Sequence, residues 1–343
     1  MRKRVYIAYT GGTIGMRRSA SGYRPHPGYL AQLMAAIPEL RHPSLPHYQI
    51  HEYQPLLDSA EMAPDDWLKI AADIADHYRD YDGFLILHGT DTMAYTASVL
   101  PFLLGGTGKP VVLTGSQVPL CEVRNDARDN LITALVIAAQ FPIPEVLLCF
   151  GSKLLRGNRA VKVNADGFDA FDSPNFPAIG SVGIEITVNR DLVLPTPERA
   201  TIPRPELKSI PRVGALRLFP GISAELVEGV LKPPLQGLVL ESYGVGNGPT
   251  RDRGLMAVLA EADARGVVIV NCSQCLKGTV SQDSYATGSA LAQAGVVSGF
   301  DLTTEAALTK LFCLLSRNLP PTTVKSLMQT SLFGELTPTG GAG

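Results

Sequence analysis

Residues 83–115 read GFLILHGTDTMAYTASVLPFLLGGTGKPVVLTG. The apolar strand GFLILH runs into Gly89, Thr90 and Asp91, a helix follows from about Thr92 to Leu104, and a second apolar strand, PVVLTG, closes the stretch. Two strands joined through a helix lie parallel, because only a long crossover returns the chain to the same end of the sheet. The alternation extends to both sides. Before it come the strands RVYIAY and YQIHEY and a helix opening at Pro64, with Asp65 and Asp66 in its first turn; after it come a helix over roughly 124–140 and the strand EVLLCF. The fold class is α/β: a mostly parallel, doubly wound sheet with helices on both faces.

The texture changes at NRDLVLPTPERATIPRPELKSIPR, residues 189–212, which has repeated prolines and little apolar periodicity. Proline removes a backbone donor and resists both helix and sheet, so this stretch reads as a linker. A second series follows: VGALRLF, a helix after Pro220, GLVLES, a helix near 251–265, GVVIV, and helical patterns near 285–294 and 303–316. The expected organisation is a larger N-terminal domain over 1–187, a proline-rich linker over 188–212 and a smaller α/β domain over 213–343.

Thirty basic and 32 acidic side chains in 343 residues leave a formal charge of −2, which argues against a nucleic-acid footprint or an anionic membrane surface as partner. A small, uncharged or zwitterionic ligand fits better. MRKRVYIAYTGG has a basic start, but its apolar run is short and reads as a first strand rather than a leader. Five cysteines, an odd number, argue against a disulfide framework and for the cytoplasm. Cys272 and Cys275 form C-x-x-C without a second pair, and read as thiols at the end of the strand GVVIV. His42, His47 and His51 read as solvated histidines of a proline-broken loop that runs into a strand, not as a metal cluster. No metal or organic cofactor is expected.

Residues 8–15, AYTGGTIG, repeat the design of the opening stretch: an apolar strand breaks into glycines with Thr13 among them. The spacing is neither G-x-G-x-x-G nor a P-loop, so phosphate binding is disfavoured. Both threonines follow strands whose carboxyl ends are where open parallel sheets bind ligands, and both adjoin glycine, which lets a ligand approach backbone. A threonine hydroxyl becomes a useful nucleophile only when a neighbour takes its proton. Three candidates lie in polar or glycine-rich contexts: Tyr23 in SASGYRP, expected in a mobile loop; Asp91 beside Thr90; and Lys162 in GNRAVKVNADGF. Each has an ordinary reading too, as loop aromatic, helix cap and surface lysine, and spacing alone does not prove that they meet.

TGGTIG and HGTDTMAYTAS together resemble the paired signatures of bacterial L-asparaginases, and PLLDSAEM, TGSQVPL, GNRAVKVNADGFDAF, SYGVGN and YATG extend the likeness nearly end to end. It is most similar to the cytoplasmic type I branch. The resemblance implies hydrolysis of L-asparagine to L-aspartate and ammonia through an acyl-enzyme. Thr13 matches the nucleophile, Tyr23 the tyrosine beside it, and Thr90, Asp91 and Lys162 the second threonine with its carboxylate and lysine. Asp58 and Ser59 match the loop that holds the substrate's α-amino and α-carboxylate groups, together with Gly89, Thr90 and Asp91. Backbone N–H groups at the two threonine turns, with Ser116 nearby, would hold the oxyanion.

One departure concerns regulation. Some type I enzymes carry a second asparagine site near SYGVGN, where an arginine binds the effector's carboxylate and a threonine precedes the catalytic lysine. Glu241 and Val161 stand at those positions here, while Asn247, Ser273 and Cys275 remain compatible. Asparagine activation is therefore expected to be weak or absent. The resemblance also implies a homodimer or homotetramer. Three alternatives stay open: a dual glutaminase-asparaginase, since one methylene is worth only about 1–3 kcal/mol in discrimination; the related subunit of a tRNA-dependent amidotransferase, disfavoured because the chain starts at the first strand; and a two-domain amino-acid-binding protein without catalysis.

Overall fold

The structure, a computed structural model, describes residues 2–20, 22–197, 201–282 and 286–338. The chain divides into two compact units, Met1–Glu206 and Leu207–Gly343.

In the first unit the chain runs through β1 (Arg4–Gly11), the ribbon β2 (Met16–Ser19) and β3 (Gly22–Pro25), α1 (Tyr29–Ala36), β4 (His47–Leu57), α2 (Pro64–His77), β5 (Gly83–Leu87) and α3 (Met93–Leu104). It continues through β6 (Val111–Thr114), α4 (Ala127–Gln140), β7 (Val146–Phe150), β8 (Lys153–Arg156), the short pair β9 (Val161–Lys162) and β10 (Phe171–Asp172), β11 (Gly180–Val182) and β12 (Ile186–Val188). Eight of these strands form one sheet in the order β12-β11-β8-β7-β6-β5-β1-β4. The segment from β4 to β7 is parallel, and β8, β11 and β12 extend its edge in antiparallel fashion.

The central strands have no polar face because both sides are covered: every residue of β5, β6 and β7 is buried. Val5, Ile7, Tyr9, Leu85, Leu87 and Val112 pack with α1 and α4 in one core. The alternate residues point the other way, and there the Tyr6 and Tyr53 hydroxyls both donate to the Asp73 carboxylate of α2, at 2.8 and 2.9 Å. α2 buries Trp67, Ile70, Ala71 and Ile74, the spacing of one helical stripe. Beside β7 and β8 the buried Arg156 and Glu145 pair at 2.6 Å and also bind Leu192 O and Leu194 N, tying down the chain that follows β12.

Three local expectations need correction. Tyr23 lies on the strand β3, opposite Arg18 of β2, not in a loop: backbone pairing orders a segment whose polar sequence has no apolar pattern. α4 begins at Ala127 rather than 124, because the Asp126 carboxylate is engaged by the N–H groups of Gln117 and Val118 and Asn125 Oδ1 accepts from Arg128 N. His47 and His51 belong to β4 itself, where His51 packs against the rings of Tyr6 and Tyr53.

The second unit contains β13 (Val213–Arg217), α5 (Ala224–Leu231), β14 (Gly237–Ser242), α6 (Arg253–Ala264), β15 (Val268–Ser273), α7 (Ala286–Gln293), β16 (Val297–Ser298), α8 (Thr304–Leu315) and α9 (Pro321–Met328). Its four strands are parallel and stand in chain order. Leu238, Leu240 and Ile269 face α5 and α6, while Val239, Val268 and Val270 face α8 and α9. Lys310 and Glu335, both fully buried, form a 2.6 Å ion pair, and Lys310 also donates to the carbonyls of Met328 and Thr330.

Candidate active site

The order of the first sheet decides where a ligand can sit. β4 lies on one side of β1, whereas β5, β6 and β7 lie on the other, so the winding reverses between β1 and β5. At such a reversal the connections leave the carboxyl ends in opposite directions and open a crevice. Thr13 follows β1 and Thr90 follows β5, the two strands that flank it.

Glycine brings their turns into contact. Gly12 has φ 88° and ψ 172°, a conformation costly for a side-chain-bearing residue, and it starts the short 3-10 turn Thr13–Gly15. A Cβ on Gly12 would lie 2.4 Å from Gly89 N, and one on Gly89 would lie 2.3 Å from Ser59 Oγ. Three chain segments, those of Thr13, Thr90 and Asp58, thus meet through Gly12, Gly89 and the buried Ser59. Asp58 itself is exposed and accepts from Ala60 N at 3.0 Å, forming the cap of the turn Ser59–Glu61. Thr92 Oγ1 donates to Ser59 O at 2.7 Å and joins the loops after β4 and β5.

The second threonine has a defined proton arrangement. Lys162 Nζ, at the end of β9, donates to Thr90 Oγ1 at 2.9 Å and to Asp91 Oδ1 at 2.7 Å. Thr90 Oγ1 donates to Gln117 Oε1 at 3.2 Å, and Gln117 Nε2 donates to Gly167 O at 3.1 Å. Gln117 is itself fixed by its backbone N–H, which meets Asp126 Oδ2 at 2.9 Å. Asp91 remains largely solvated while Lys162 is mostly covered, so the pair adds little to stability and serves to position the ammonium.

Tyr23 is half-exposed and its hydroxyl donates to Glu122 Oε1 at 2.7 Å. That bond is the main reason its phenol stays protonated to higher pH than usual. Ser116 is buried, and its Oγ has no hydrogen-bond partner among the described residues. His88, between β5 and Gly89, is fully buried with its ring nitrogens near Gly89 O (2.7 Å) and Thr96 Oγ1 (2.9 Å). Desolvation depresses its pKa to about 4, so it is a neutral structural residue at pH 7.

The structure therefore unites Thr90, Asp91 and Lys162 directly, and brings the Thr13 turn, Gly89 and Ser59 together through backbone packing. Tyr23 is joined to Glu122 instead of to any of these. Gln117, Glu122 and Asp126 are additions that sequence reasoning missed. The signal for Gln117 was present: it follows β6, the strand beside β5, at the same carboxyl end.

The proposed regulatory residues are distributed between the units. Val161 precedes Lys162 on β9 in the first. In the second, Glu241 accepts from Thr304 Oγ1 at 2.8 Å, Asn247 Oδ1 accepts from Thr287 Oγ1, and Ser273 Oγ donates to Gly244 O at 2.6 Å while accepting from Cys275 N at 3.0 Å. Among the described residues no group of three or more His, Cys, Asp or Glu side chains could hold a metal ion, and no helix is long and apolar enough to cross a membrane.

Two family models cover most of the chain: asparaginase, N-terminal, over residues 4–194, and glutaminase/asparaginase C-terminal domain over residues 212–328. The chain belongs to the asparaginase family. L-asparaginase 1 of Escherichia coli (strain K12) is 51% identical, over 98% of this chain and 99% of that one. The crystal structure of L-asparaginase I from Vibrio cholerae shares 48% identity and superimposes with a TM-score of 0.90, covering 98% of this chain and all of its own. The human 60 kDa lysophospholipase is 44% identical, over 98% of this chain and 62% of the relative. The two-unit α/β architecture is that of the asparaginase structures.

Proposed function

We propose that this member of the asparaginase family hydrolyses L-asparagine to L-aspartate and ammonia through a threonine-bound acyl intermediate. The observation that carries the reading is the meeting of the Thr13, Thr90 and Asp58 segments at Gly12, Gly89 and Ser59, at the point where the sheet reverses its winding. In the proposed first step Thr13 Oγ attacks the amide carbon, the carbonyl electrons move onto oxygen, and N–H groups of the glycine-flanked turns stabilise that charge. Tyr23 handles the hydroxyl proton, which is delivered to the departing ammonia. Thr90, held by Lys162 and Gln117, then orients the water that cleaves the ester. Asp58 and Asp91 supply carboxylates for the substrate's ammonium, and Ser59, Gly89 and Ser116 line the remaining polar positions.

Ammonia release from L-asparagine and L-glutamine tests this with wild type, Thr13→Ala and Thr90→Val side by side. Asparagine turnover should fall by roughly a thousandfold or more in Thr13→Ala. Unchanged turnover in that variant would overturn the nucleophile assignment, and equal rates on both amides would favour the dual glutaminase-asparaginase. Ligand binding without amide release by the folded wild type would leave the non-catalytic binder.

The same reading makes the enzyme cytoplasmic, cofactor-free and a homodimer or homotetramer, which light scattering of the purified chain checks. It also makes asparagine activation weak or absent, because Glu241 would repel an effector's carboxylate and Val161 offers it no hydrogen bond. A clearly sigmoidal rate curve that Asn247→Ala abolishes would show the opposite.

A further inference from the structure

The loop between β6 and α4 has more attachments than its role as a connection requires. At its start, the Asp126 carboxylate receives the N–H groups of Gln117 and Val118. In its middle, Leu120 N donates to Ile14 O at 3.1 Å, beside Thr13, and Cys121 Sγ lies 3.6 Å from Met16 O at the root of the β2–β3 ribbon. Next comes Glu122, whose Oε1 receives the Tyr23 hydroxyl at 2.7 Å. Asn125 Nδ2 donates to Glu122 O at 2.6 Å and fixes the backbone from which that carboxylate projects. One loop thus grips the Thr90 network, the Thr13 turn and both strands of the ribbon.

The ribbon needs such a grip. All of β3 and most of β2 are exposed, so side-chain burial contributes little to holding them. Arg17 stands opposite Arg24 in its register, a like-charge cross-strand pair that weakens it further.

We infer that Glu122 is a positioning residue: its carboxylate latches the β2–β3 ribbon through Tyr23 and so sets how often Tyr23 stands ready beside the Thr13 turn. The inference rests on the asparaginase reading for its kinetic consequence but not for the latch itself. The titratable and charged groups that bear on the phenol are Glu122 and Cys121 of the loop and Arg18, its cross-strand partner. Glu122 raises the pH at which Tyr23 ionises and Arg18 opposes it, so removing Glu122 should move any alkaline limb governed by Tyr23 to lower pH.

The test compares wild type, Glu122→Ala, Glu122→Gln, Tyr23→Phe and the Tyr23→Phe/Glu122→Ala double variant. Limited trypsin digestion reads the latch without reference to catalysis, because Arg17 and Arg18 lie on β2 whereas Arg24 is protected by the following proline. Cleavage there should quicken severalfold in Glu122→Ala and Tyr23→Phe. In asparagine kinetics, Glu122→Ala should lower kcat/KM roughly five- to tenfold and move the alkaline limb down. Glu122→Gln should recover most of the rate, since its amide oxygen still accepts from the phenol. In the Tyr23→Phe background Glu122→Ala should add less than about a twofold change. Equal digestion in wild type and Glu122→Ala, or a kinetic loss of the same size in the Tyr23→Phe background, would overturn the latch. Faster digestion in a protein that leaves asparagine untouched would keep the latch and reject the substrate.

Discussion

Both units end parallel strands in glycine-bearing polar loops, yet the two carboxyl edges are built differently. In the first sheet the winding reverses, and the loops after β1, β4 and β5 converge around backbone with hydroxyl, carboxylate and ammonium groups at their margins. In the second, strands are added in one direction, and the polar groups beyond β14 and β15 are spent on one another: Ser273 on Gly244 O, Glu241 on Thr304, Asn247 on Thr287. A parallel edge becomes reactive where topology opens a crevice and glycine lets backbone fill its floor.

The sharpest way to break that contrast is at the Lys162 ammonium. Lys162→Met removes the donor shared by Thr90 and Asp91, and asparagine turnover should fall by roughly 100- to 10,000-fold with little change in melting temperature. Gln274→Met in the second unit, which removes the donor to the Leu218 carbonyl and one of the two donors to the Glu241 carbonyl, should lower stability by about 1 kcal/mol and leave turnover within a few-fold. Equal kinetic losses would erase the distinction between the edges.

Glycines sharpen it next. Gly12→Ala puts a methyl into Gly89 backbone and should cost several kcal/mol in unfolding experiments. Gly89→Ala strikes a side chain, Ser59 Oγ, so adding Ser59→Gly should recover part of its loss. Gly244→Ala in the second unit has φ 50° but open space around the new methyl, and should cost only about 1 kcal/mol.

Acid titration probes each unit through one buried group, with opposite signs. His88 has a depressed folded pKa of about 4 against 6.5 unfolded. Between those values the unfolded chain takes up a proton that the folded chain refuses, so stability falls by about 3 kcal/mol as pH drops through the window. Glu305 is raised above 4.5, chiefly by burial, with Glu241 adding to the shift. Its contribution is full at low pH and declines as pH rises through the raised value. Denaturant midpoints from pH 7 to 4 should flatten in His88→Gln, and Glu305→Gln should gain stability near neutrality.

The sequence made the buried parallel strands legible because runs such as GFLILH and EVLLCF are apolar on both faces, and it located both threonines at strand ends. The ribbon β2–β3 escaped notice since MRRS and GYRP carry no period; its order comes from partners far along the chain. Helices α1 and α9, and the three-residue strands β11 and β12 at the sheet's edge, are too short to show a pattern of their own. Lys162 meets Thr90 from 72 positions away and Glu122 meets Tyr23 from 99, distances at which no local pattern speaks. Lys162 stands out by its polar context and by family likeness; Glu122 has neither signal.

The contact between Gly12 and Gly89 also limits how the site can be redesigned. Backbone packs directly on backbone between the two threonine-bearing turns, so a side chain at Gly12 forces them apart, while one at Gly89 must first displace Ser59 Oγ. Variants meant to accept a longer amide have their freedom elsewhere: in the exposed Asp58 loop, in the solvated Asp91, and in the ribbon carrying Tyr23. The spacing of the two turns is set by backbone contact, and side chains can vary only at the rim.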